Sequence, residues 1–260
     1  MARSVADLDV LSTAGWLACV PPHFRREVLA RGVVRHYAKG DMVYRLGETS
    51  GGVYGLIAGS VGIAIASSRR GTALAHLGQP GFWFGEGPFI TREPRRVQVW
   101  AARRTVLLSL PLPLLDAMTA DDPETWRWLA VLTMSNLDLA MSVADDLMIR
   151  DPAKRCLAVL LRIAGASATV DHAPVVNASQ DELAQMANVS RTVASAVLRD
   201  QRARGRIGLA YRQIRLLDVA GLRADADETE VWRPAAGRPC RQSDGEAGAA
   251  ADREVGSIPA

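Results

Sequence analysis

With 260 residues, the chain is long enough for two ordinary domains and can bury a core without disulfide bonds. Hydrophobic residues make up 48% and charged residues 23%, and the net charge is +3, which together exclude a disordered or fibrous protein. No apolar run reaches the roughly 18 residues of a membrane span. Asp7 and Asp9 interrupt the N-terminal segment where a signal peptide would be apolar, so we expect a cytoplasmic protein with no membrane contact.

A β-domain is predicted first along the chain. Short β-rich runs punctuated by glycine extend from about Val33 to Leu110: VVRHYA, MVYRL, GVYGLIAG, VGIAIAS, TALAHLG, VQVWAA and TVLLSL. Short strands with glycine turns every 8 to 12 residues or so indicate an antiparallel sandwich or barrel. A helix over PPHFRREVLARG precedes them, with Phe24, Val28 and Leu29 on one face.

Beyond Pro111 and Pro113, the pattern changes to that of a long helix. Asp122 is the candidate N-cap and Pro123 the first helical residue, and neither proline nor glycine interrupts ETWRWLAVLTMSNLDLAMSVADDLMIR. Its apolar positions include Leu129, Leu132, Leu137, Ala140, Met141, Ala144, Leu147 and Met148. Because they lie on more than one face, we expect the helix to pack on its own domain and on a second copy of itself. A long core helix in a monomer is the alternative.

A second helical block begins at Asp151 with PAKRCLAVLLRIAGA, and a short extended stretch, VDHAPVVNA, follows it. SQDELAQMA then starts with a capping box, in which Ser179 and Glu182 each accept from the backbone N–H of the other. Asn188 and Val189 form a short turn before the next helix, SRTVASAVLRDQRARGRI. The alternating segment GLAYRQIRLLD predicts a β-hairpin. Two helices joined by a tight turn and followed by a hairpin predict a winged helix-turn-helix.

The second helix of this pair presents a polar face suited to a DNA groove. Val193, Val197 and Leu198 are predicted to face inward. The candidate DNA-binding residues are Ser179, Gln180, Ser190, Arg191, Thr192, Ser195 and Arg199. Arg191 could contact a guanine edge through two hydrogen bonds, while Thr192 and Ser195 are short enough to allow close approach.

The charge distribution supports this interpretation. Residues 151–224 carry 11 basic and 6 acidic side chains, whereas residues 225–260 carry 4 and 8. Arg199, Arg202, Arg204 and Arg206 are expected to meet phosphates. The alternative is an amphipathic helical hairpin whose arginines are only solvated.

From about Leu17 to Leu222, the chain resembles the cyclic-AMP receptor protein and FNR (Crp/Fnr) superfamily of bacterial transcription regulators. GDMVYRLGETSGGVYGLIAGSVGIAI resembles the glycine-patterned strands of that family, and FGEGPFITREPRRVQVWAARRT resembles its phosphate-binding cassette. The order of barrel, long helix and winged helix-turn-helix is also the same.

The resemblance implies an α+β fold. It has an N-terminal antiparallel jelly-roll β-barrel like that of cyclic-nucleotide-binding domains (1–120), a dimerisation helix (121–150) and a C-terminal winged helix-turn-helix (151–224). Residues 225–260 are rich in Ala, Gly, Pro and acidic residues, and we expect a disordered tail there.

The family's function gives further expectations. The resemblance implies a homodimer that is not an enzyme and that binds a pseudo-palindromic site in double-stranded DNA, with half-sites about 34 Å apart. RNA polymerase would be a partner if the protein is an activator. Arg191 matches the family's guanine-reading arginine, but Thr192 replaces a frequent Glu and Ala196 a frequent second Arg. The operator is therefore expected to differ from the best-known consensus.

The family's effector site is matched only in part. Nucleotide-binding members supply a Glu for the ribose 2′-hydroxyl, an Arg for the cyclic phosphate and a Ser or Thr beside that Arg. Gly85, Glu86 and Arg96 match in type and spacing, but Val97 stands where the hydroxyl would be. The candidate effector-binding residues are Gly85, Glu86, Arg96, Val97, Ala140 and Met141.

Ala140 and Met141 stand where the best-known member uses hydroxyl side chains to contact adenine. Each lost hydrogen bond costs roughly 0.5 to 1.5 kcal/mol. Two alternatives therefore stay open. Cyclic AMP or another cyclic nucleotide is the effector, or Glu86 and Arg96 form a structural ion pair in the vestigial pocket of an effector-independent regulator. No cofactor is certain.

Other sensors and other protein classes have less support. Cys19, Cys156 and Cys240 are too dispersed for a disulfide scaffold, a zinc site or an iron-sulfur cluster. His76 is a weak haem ligand candidate in a turn, and Cys156 is expected in a core rather than as a redox sensor. The chain has no hydrolase, P-loop or HExxH motif. A ligand-binding module of a kinase or channel would share the barrel but not the helix-turn-helix.

Overall fold

The computed structural model describes residues 5–67, 71–165 and 174–227. Helices α1 (Val5–Thr13) and α2 (Pro22–Arg31) open the fold, with a short 3-10 turn at Trp16–Cys19 between them. Only α2 was predicted, and it buries Phe24 and Val28 as expected.

The β-domain consists of two four-stranded antiparallel sheets, in the orders β1-β8-β3-β6 and β2-β7-β4-β5. The strands are β1 (Val33–Tyr37), β2 (Met42–Tyr44), β3 (Gly52–Ala58), β4 (Val61–Ser67), β5 (Gly71–Gly78), β6 (Trp83–Phe84), β7 (Val97–Ala101) and β8 (Thr105–Pro111). All seven predicted strands are present, and β6 was too short to be predicted. The sheets face each other without closing into a complete barrel, and this is the one detail in which the fold class differs from expectation.

Two apolar cores hold this domain together. Tyr44, Leu56 and Leu107 lie in the cluster between the sheets. Trp83 and Leu108 lie in a second cluster, which joins one sheet to the preceding and following helices. The short α3 (Gly87–Thr91) lies within the β6–β7 connection, and α4 (Leu112–Asp121) follows β8.

The long helix α5 runs from Thr125 to Met148, so the predicted start at Asp122 and Pro123 is wrong. Asp122 Oδ1 accepts from the backbone N–H of Glu124, and the carbonyl of Asp122 accepts from Thr125 N–H, which makes this segment a turn. The buried Thr125 hydroxyl donates to the carbonyl of Met118 in α4. This contact with α4 fixes the true start of the helix.

The C-terminal domain has α6 (Pro152–Ile163), α7 (Gln180–Met186), α8 (Arg191–Ala203) and α9 (Val219–Asp225) around a three-stranded sheet in the order β10-β11-β9. Its strands are β9 (Val175–Val176), β10 (Ile207–Ala210) and β11 (Gln213–Leu216). Helix α9 extends into the segment that was expected to begin the tail, and Ala226 is buried. The rest of that expected tail, residues 228–260, lies outside the described residues. Within the described ranges, no helix is both long and apolar enough to cross a membrane.

Candidate DNA-binding surface and effector pocket

The two helices of the helix-turn-helix begin where the sequence predicted. The Ser179 hydroxyl accepts from Glu182 N–H at 3.2 Å, and Glu182 Oε2 accepts from Ser179 N–H at 2.7 Å, so the capping box is complete. The Ser190 hydroxyl accepts from Val193 N–H at 3.3 Å and caps α8. Between the helices, Asn188 has a φ of 49°, a left-handed conformation that Asn tolerates better than most residues.

The outer face of α8 is exposed. Arg191, Thr192 and Arg199 are exposed, and the Arg191 side chain, 72% exposed, makes an ion pair with Asp181 at 3.2 Å. The inner face is rotated slightly from the prediction. Ala194 is fully buried and Val193 only half-buried.

Ser195 and Gln180 are brought together rather than left free. The Ser195 hydroxyl donates to Gln180 Oε1 at 2.6 Å, which ties α8 to the start of α7. Arg199 Nε donates to the Ser195 carbonyl at 3.3 Å. Of the seven candidate DNA-binding residues, four are exposed: Ser190, Arg191, Thr192 and Arg199.

Two of the arginines expected at phosphates, Arg204 and Arg206, pair with carboxylates of the C-terminal domain. Arg204 pairs with Asp200 at 2.9 Å and with Asp225 at 3.0 Å. Arg206 also pairs with Asp225. Hydrogen bonds from Arg206 and Gln201 lower the pKa of Asp225 to about 2, so it stays ionised and keeps both arginines engaged.

The predicted β-hairpin is formed by β10 and β11. Ile214 and Leu216 are buried, and Gln213 and Arg215 are exposed, as the alternation predicted. Tyr211 and Arg212 form its tip, and Tyr211 is 89% exposed. Arg212 has a φ of 56°, which completes the tight two-residue turn.

The expected effector pocket contains Glu86 beneath α5. Glu86 is buried, and its Oε1 accepts from Asn136 Nδ2 at 2.9 Å. Burial raises the pKa of Glu86 despite that hydrogen bond. Gly85 before it has a φ of 97°, and a Cβ there would lie 2.7 Å from the carbonyl oxygen of Gly52, so only glycine fits.

The buried arginine next to the expected effector site is Arg95, and Arg96 is exposed. Arg95 is buried, and its guanidinium donates to the carbonyls of Ser50, Gly52 and Gly85 at 3.0 to 3.3 Å. It also lies over the Tyr44 ring at 3.9 Å. Burial raises the pKa of Tyr44, so its hydroxyl stays neutral.

The other four expected effector-site residues are exposed or half-buried in the single chain. Arg96 is exposed, so the ion pair with Glu86, which was one of the two alternatives, is not formed. Val97 is the half-buried first residue of β7. Ala140 and Met141 lie exposed on α5, and Met141 is 62% exposed. Spacing alone could not choose between two consecutive arginines, because the choice depends on which one turns inward.

The haem and redox sensor candidates, His76 and Cys156, are both buried. His76 is buried, and burial together with Arg162 lowers its pKa to about 3. Burial raises the pKa of Cys156 to about 11, so its thiol is protonated near neutral pH. No group of His, Cys, Asp and Glu suited to a metal ion occurs within the parts of the chain that the structure describes.

Two family models match the chain: the cyclic nucleotide-binding domain over residues 34–122 and the Crp-like helix-turn-helix domain over residues 154–225. Together they match more than half of its length. The chain belongs to the Crp/Fnr superfamily. It is a transcription regulator of that superfamily with a cyclic-nucleotide-binding-type domain and a DNA-binding helix-turn-helix, and it is not an enzyme.

Solved structures of this superfamily share the fold. FixK2 from Bradyrhizobium japonicum is 20% identical, with a TM-score of 0.65, 77% of this chain covered and 99% of that one. A CRP/FNR-family transcriptional regulator from Thermus thermophilus is 24% identical, with a TM-score of 0.56 and coverages of 75% and 99%. The c-di-GMP-responsive global regulator CLP of Xanthomonas campestris is 21% identical, with a TM-score of 0.58 and coverages of 75% and 99%. No curated protein sequence gives a significant match.

Proposed function

We propose that the protein is a homodimeric, sequence-specific DNA-binding regulator whose affinity for DNA is controlled by a small effector in the β-domain. It acts in the cytoplasm on a pseudo-palindromic operator, with RNA polymerase as a further partner if it activates transcription. The observation that carries the DNA part is the exposed face of α8, a helix whose start is fixed by the Ser190 cap.

Arg191 is the residue on which recognition of the DNA sequence depends. Its guanidinium can donate two parallel hydrogen bonds to the O6 and N7 atoms of guanine. The ion pair with Asp181 does not prevent this, because both side chains are more than half exposed and such pairs contribute about 0 to 1 kcal/mol. Arg191 can therefore exchange Asp181 for a base edge.

The test begins by selecting an operator from a random DNA pool with the wild-type protein. Fluorescence anisotropy then gives the Kd of each variant for that operator. We expect Arg191→Ala to weaken binding by about 1 to 3 kcal/mol, or roughly 10- to 100-fold. Arg26→Ala is the matched control, since Arg26 is exposed on α2, outside both the helix-turn-helix and α5. If Arg191→Ala and wild type bind the operator with equal affinity, α8 is not the recognition helix.

The homodimer is supported by an exposed apolar stripe on α5. Its residues recur at alternate spacings of four and three: Ala130, Met134, Leu137, Met141, Ala144 and Met148. The larger members are strongly exposed, from 49% for Leu137 to 78% for Met148. A heptad pattern of this kind is the seam that two parallel helices bury against each other.

Control by an anionic effector is supported by the surroundings of Arg95. Its cation is buried, and the groups that accept its hydrogen bonds are neutral carbonyls. A phosphate would supply the missing negative charge, and Glu86 lies close enough to influence the same pocket electrostatically. A cyclic nucleotide is therefore the first candidate, and a cyclic dinucleotide is the second, given the name of the relative from Xanthomonas campestris.

Effector-independent regulation is the competing proposal, and one observation favours it. Three carbonyls already accept from Arg95, so a phosphate would have to displace at least one of them.

Melting temperatures with millimolar cyclic AMP, cyclic GMP or cyclic di-GMP separate the two proposals. A ligand at about 100 times its Kd stabilises the fold by roughly 2.7 kcal/mol. A shift that Glu86→Gln abolishes would support the effector site, and no shift with all three would favour the alternative.

A further inference from the structure

Ser195 lies among the exposed side chains of α8 but is itself half-buried. Arg191, Thr192 and Arg199 stand about one turn before or after it, and all three are exposed. Residues three and four positions apart on a helix are neighbours, so these side chains form one continuous face with Ser195 at its centre. A group at the centre of that face either contacts DNA itself or acts on a neighbour that does.

The neighbour of Ser195 is Gln180, the first residue of α7. The Ser195 hydroxyl donates to Gln180 Oε1 at 2.6 Å, within the range of a well-formed hydrogen bond between oxygens. Asp181, the next residue of α7, pairs with Arg191 at 3.2 Å. The first turn of α7 therefore contacts the outer face of α8 at two points.

The hydrogen bond with Ser195 determines which end of the Gln180 amide stays available. A carboxamide has an oxygen that accepts hydrogen bonds and an NH2 group that donates two of them. Because Ser195 holds Oε1, the plane of the amide is fixed and Nε2 is directed away from the hydroxyl. In the part of the chain that the structure describes, no group accepts a hydrogen bond from Gln180 Nε2.

A side chain that is fixed before DNA arrives binds it with a smaller loss of freedom. A mobile glutamine loses rotamer entropy when a partner holds it, and this loss opposes association. Ser195 has already restricted Gln180 in the free protein, so less entropy remains to be lost. The available group donates only, and the acceptors that DNA offers are phosphate oxygens and acceptor atoms on base edges.

We propose that Ser195 is a positioning residue, which increases the affinity for DNA by holding Gln180 Nε2 towards a hydrogen-bond acceptor of the operator. Gln180 makes the contact, and Ser195 acts only through Gln180. The inference rests on the proposed DNA-binding function, in which α8 is the recognition helix. It gives Ser195 a role other than the close approach to the groove that was expected from the sequence.

A double-mutant cycle with the selected operator, measured by anisotropy, tests this role. Ser195→Ala removes the hydroxyl, and Gln180→Met removes the amide but keeps a side chain of similar length and helix propensity. We expect Ser195→Ala to weaken binding about threefold and Gln180→Met about five- to tenfold. The double variant should bind no more weakly than Gln180→Met alone. Losses that multiply in the double variant would mean that Ser195 contacts DNA itself, and they would overturn the proposal, as would unchanged affinity of Ser195→Ala.

A second cycle, between protein and operator, identifies the acceptor. Single phosphates of the operator are replaced by methylphosphonates, and single base pairs are substituted. One of these changes should weaken binding of the wild type but cause little further loss with Gln180→Met, and its nature shows whether the acceptor is a phosphate or a base. A hydrogen bond that only stabilised the contact between α7 and α8 would show no coupling to one position of the DNA. The absence of any coupled position would therefore overturn the proposal.

Two further variants complete the test. Thr119→Ala is the control, because the Thr119 hydroxyl donates to the Leu115 and Asp116 carbonyls of α4, outside the helix-turn-helix, and this variant should bind as wild type does. Arg191→Ala separates the two levels of the argument. If the wild-type protein selects no operator, or if Arg191→Ala binds as tightly as wild type, the proposed function fails and this inference fails with it. If Arg191→Ala binds weakly while the Ser195 and Gln180 losses multiply, only the positioning role fails.

Discussion

At the scale of single residues, Arg95 and Arg96 are adjacent and chemically identical but lie in opposite environments. Arg95 donates to three backbone carbonyls inside the β-domain, whereas Arg96 is exposed. Arg95→Ala would leave these buried acceptors without donors, and we expect the free energy of unfolding to fall by about 3 kcal/mol. Arg96→Ala is the matched control and should change it by less than about 0.5 kcal/mol. Urea denaturation measures both, and equal losses would contradict the assignment of the inward arginine.

The buried His76 predicts how the stability of the protein changes with pH. Burial and Arg162 lower its pKa in the folded protein from 6.5 to about 3, so in this range the unfolded chain takes up the proton first. The stability linked to His76 is therefore complete above pH 6.5 and is lost progressively as the pH falls towards 3. The slope is at most about 1.4 kcal/mol per pH unit.

Urea denaturation between about pH 6.5 and 5 checks this, because most carboxylates titrate below that window. We expect the free energy of unfolding of the wild type to fall there and that of His76→Gln to change less. Glutamine keeps a side-chain acceptor for Arg162 but does not titrate. Equal slopes in both proteins would mean that His76 takes up its proton as readily in the folded state as in the unfolded state.

At the scale of elements, the sequence predicted the helices and strands whose ends are set by local interactions. The caps at Ser179 and Ser190 and the glycine turns of the β-domain are local signals, and they located α7, α8 and seven strands. The start of α5 was misplaced because Asp122 and Pro123 satisfy local rules for a helix start. Its true start depends on the contact between Thr125 and Met118 of the preceding helix.

The contacts that connect the elements could not be predicted in the same way. An ion pair at 2.7 Å joins Arg103 to Glu182, which are 79 positions apart, and nothing near either residue indicates the other. The placement of Arg95 depends on how the chain turns into β7, which the spacing from Glu86 does not determine. Asn136 was missed for a related reason. Its only signal is that it is a polar residue on the long helix, and its partner Glu86 becomes its neighbour only after folding.

At the scale of the whole molecule, the α5 stripe predicts that two copies associate and that specific DNA binding depends on the pair. Leu137→Asp places a charge near the middle of the stripe, and burying two such charges across the seam costs more than any contact there could offset. Leu137 is 49% exposed in the single chain, so each protomer should still fold, with unchanged circular dichroism.

We expect sedimentation velocity to give a dimer for wild type and for the control Leu137→Met, and a monomer for Leu137→Asp. A monomer presents only one recognition helix, so its operator affinity should fall by orders of magnitude. A dimeric Leu137→Asp protein would place the dimer interface on another surface, and a monomeric wild type would remove the geometric reason for a pseudo-palindromic operator.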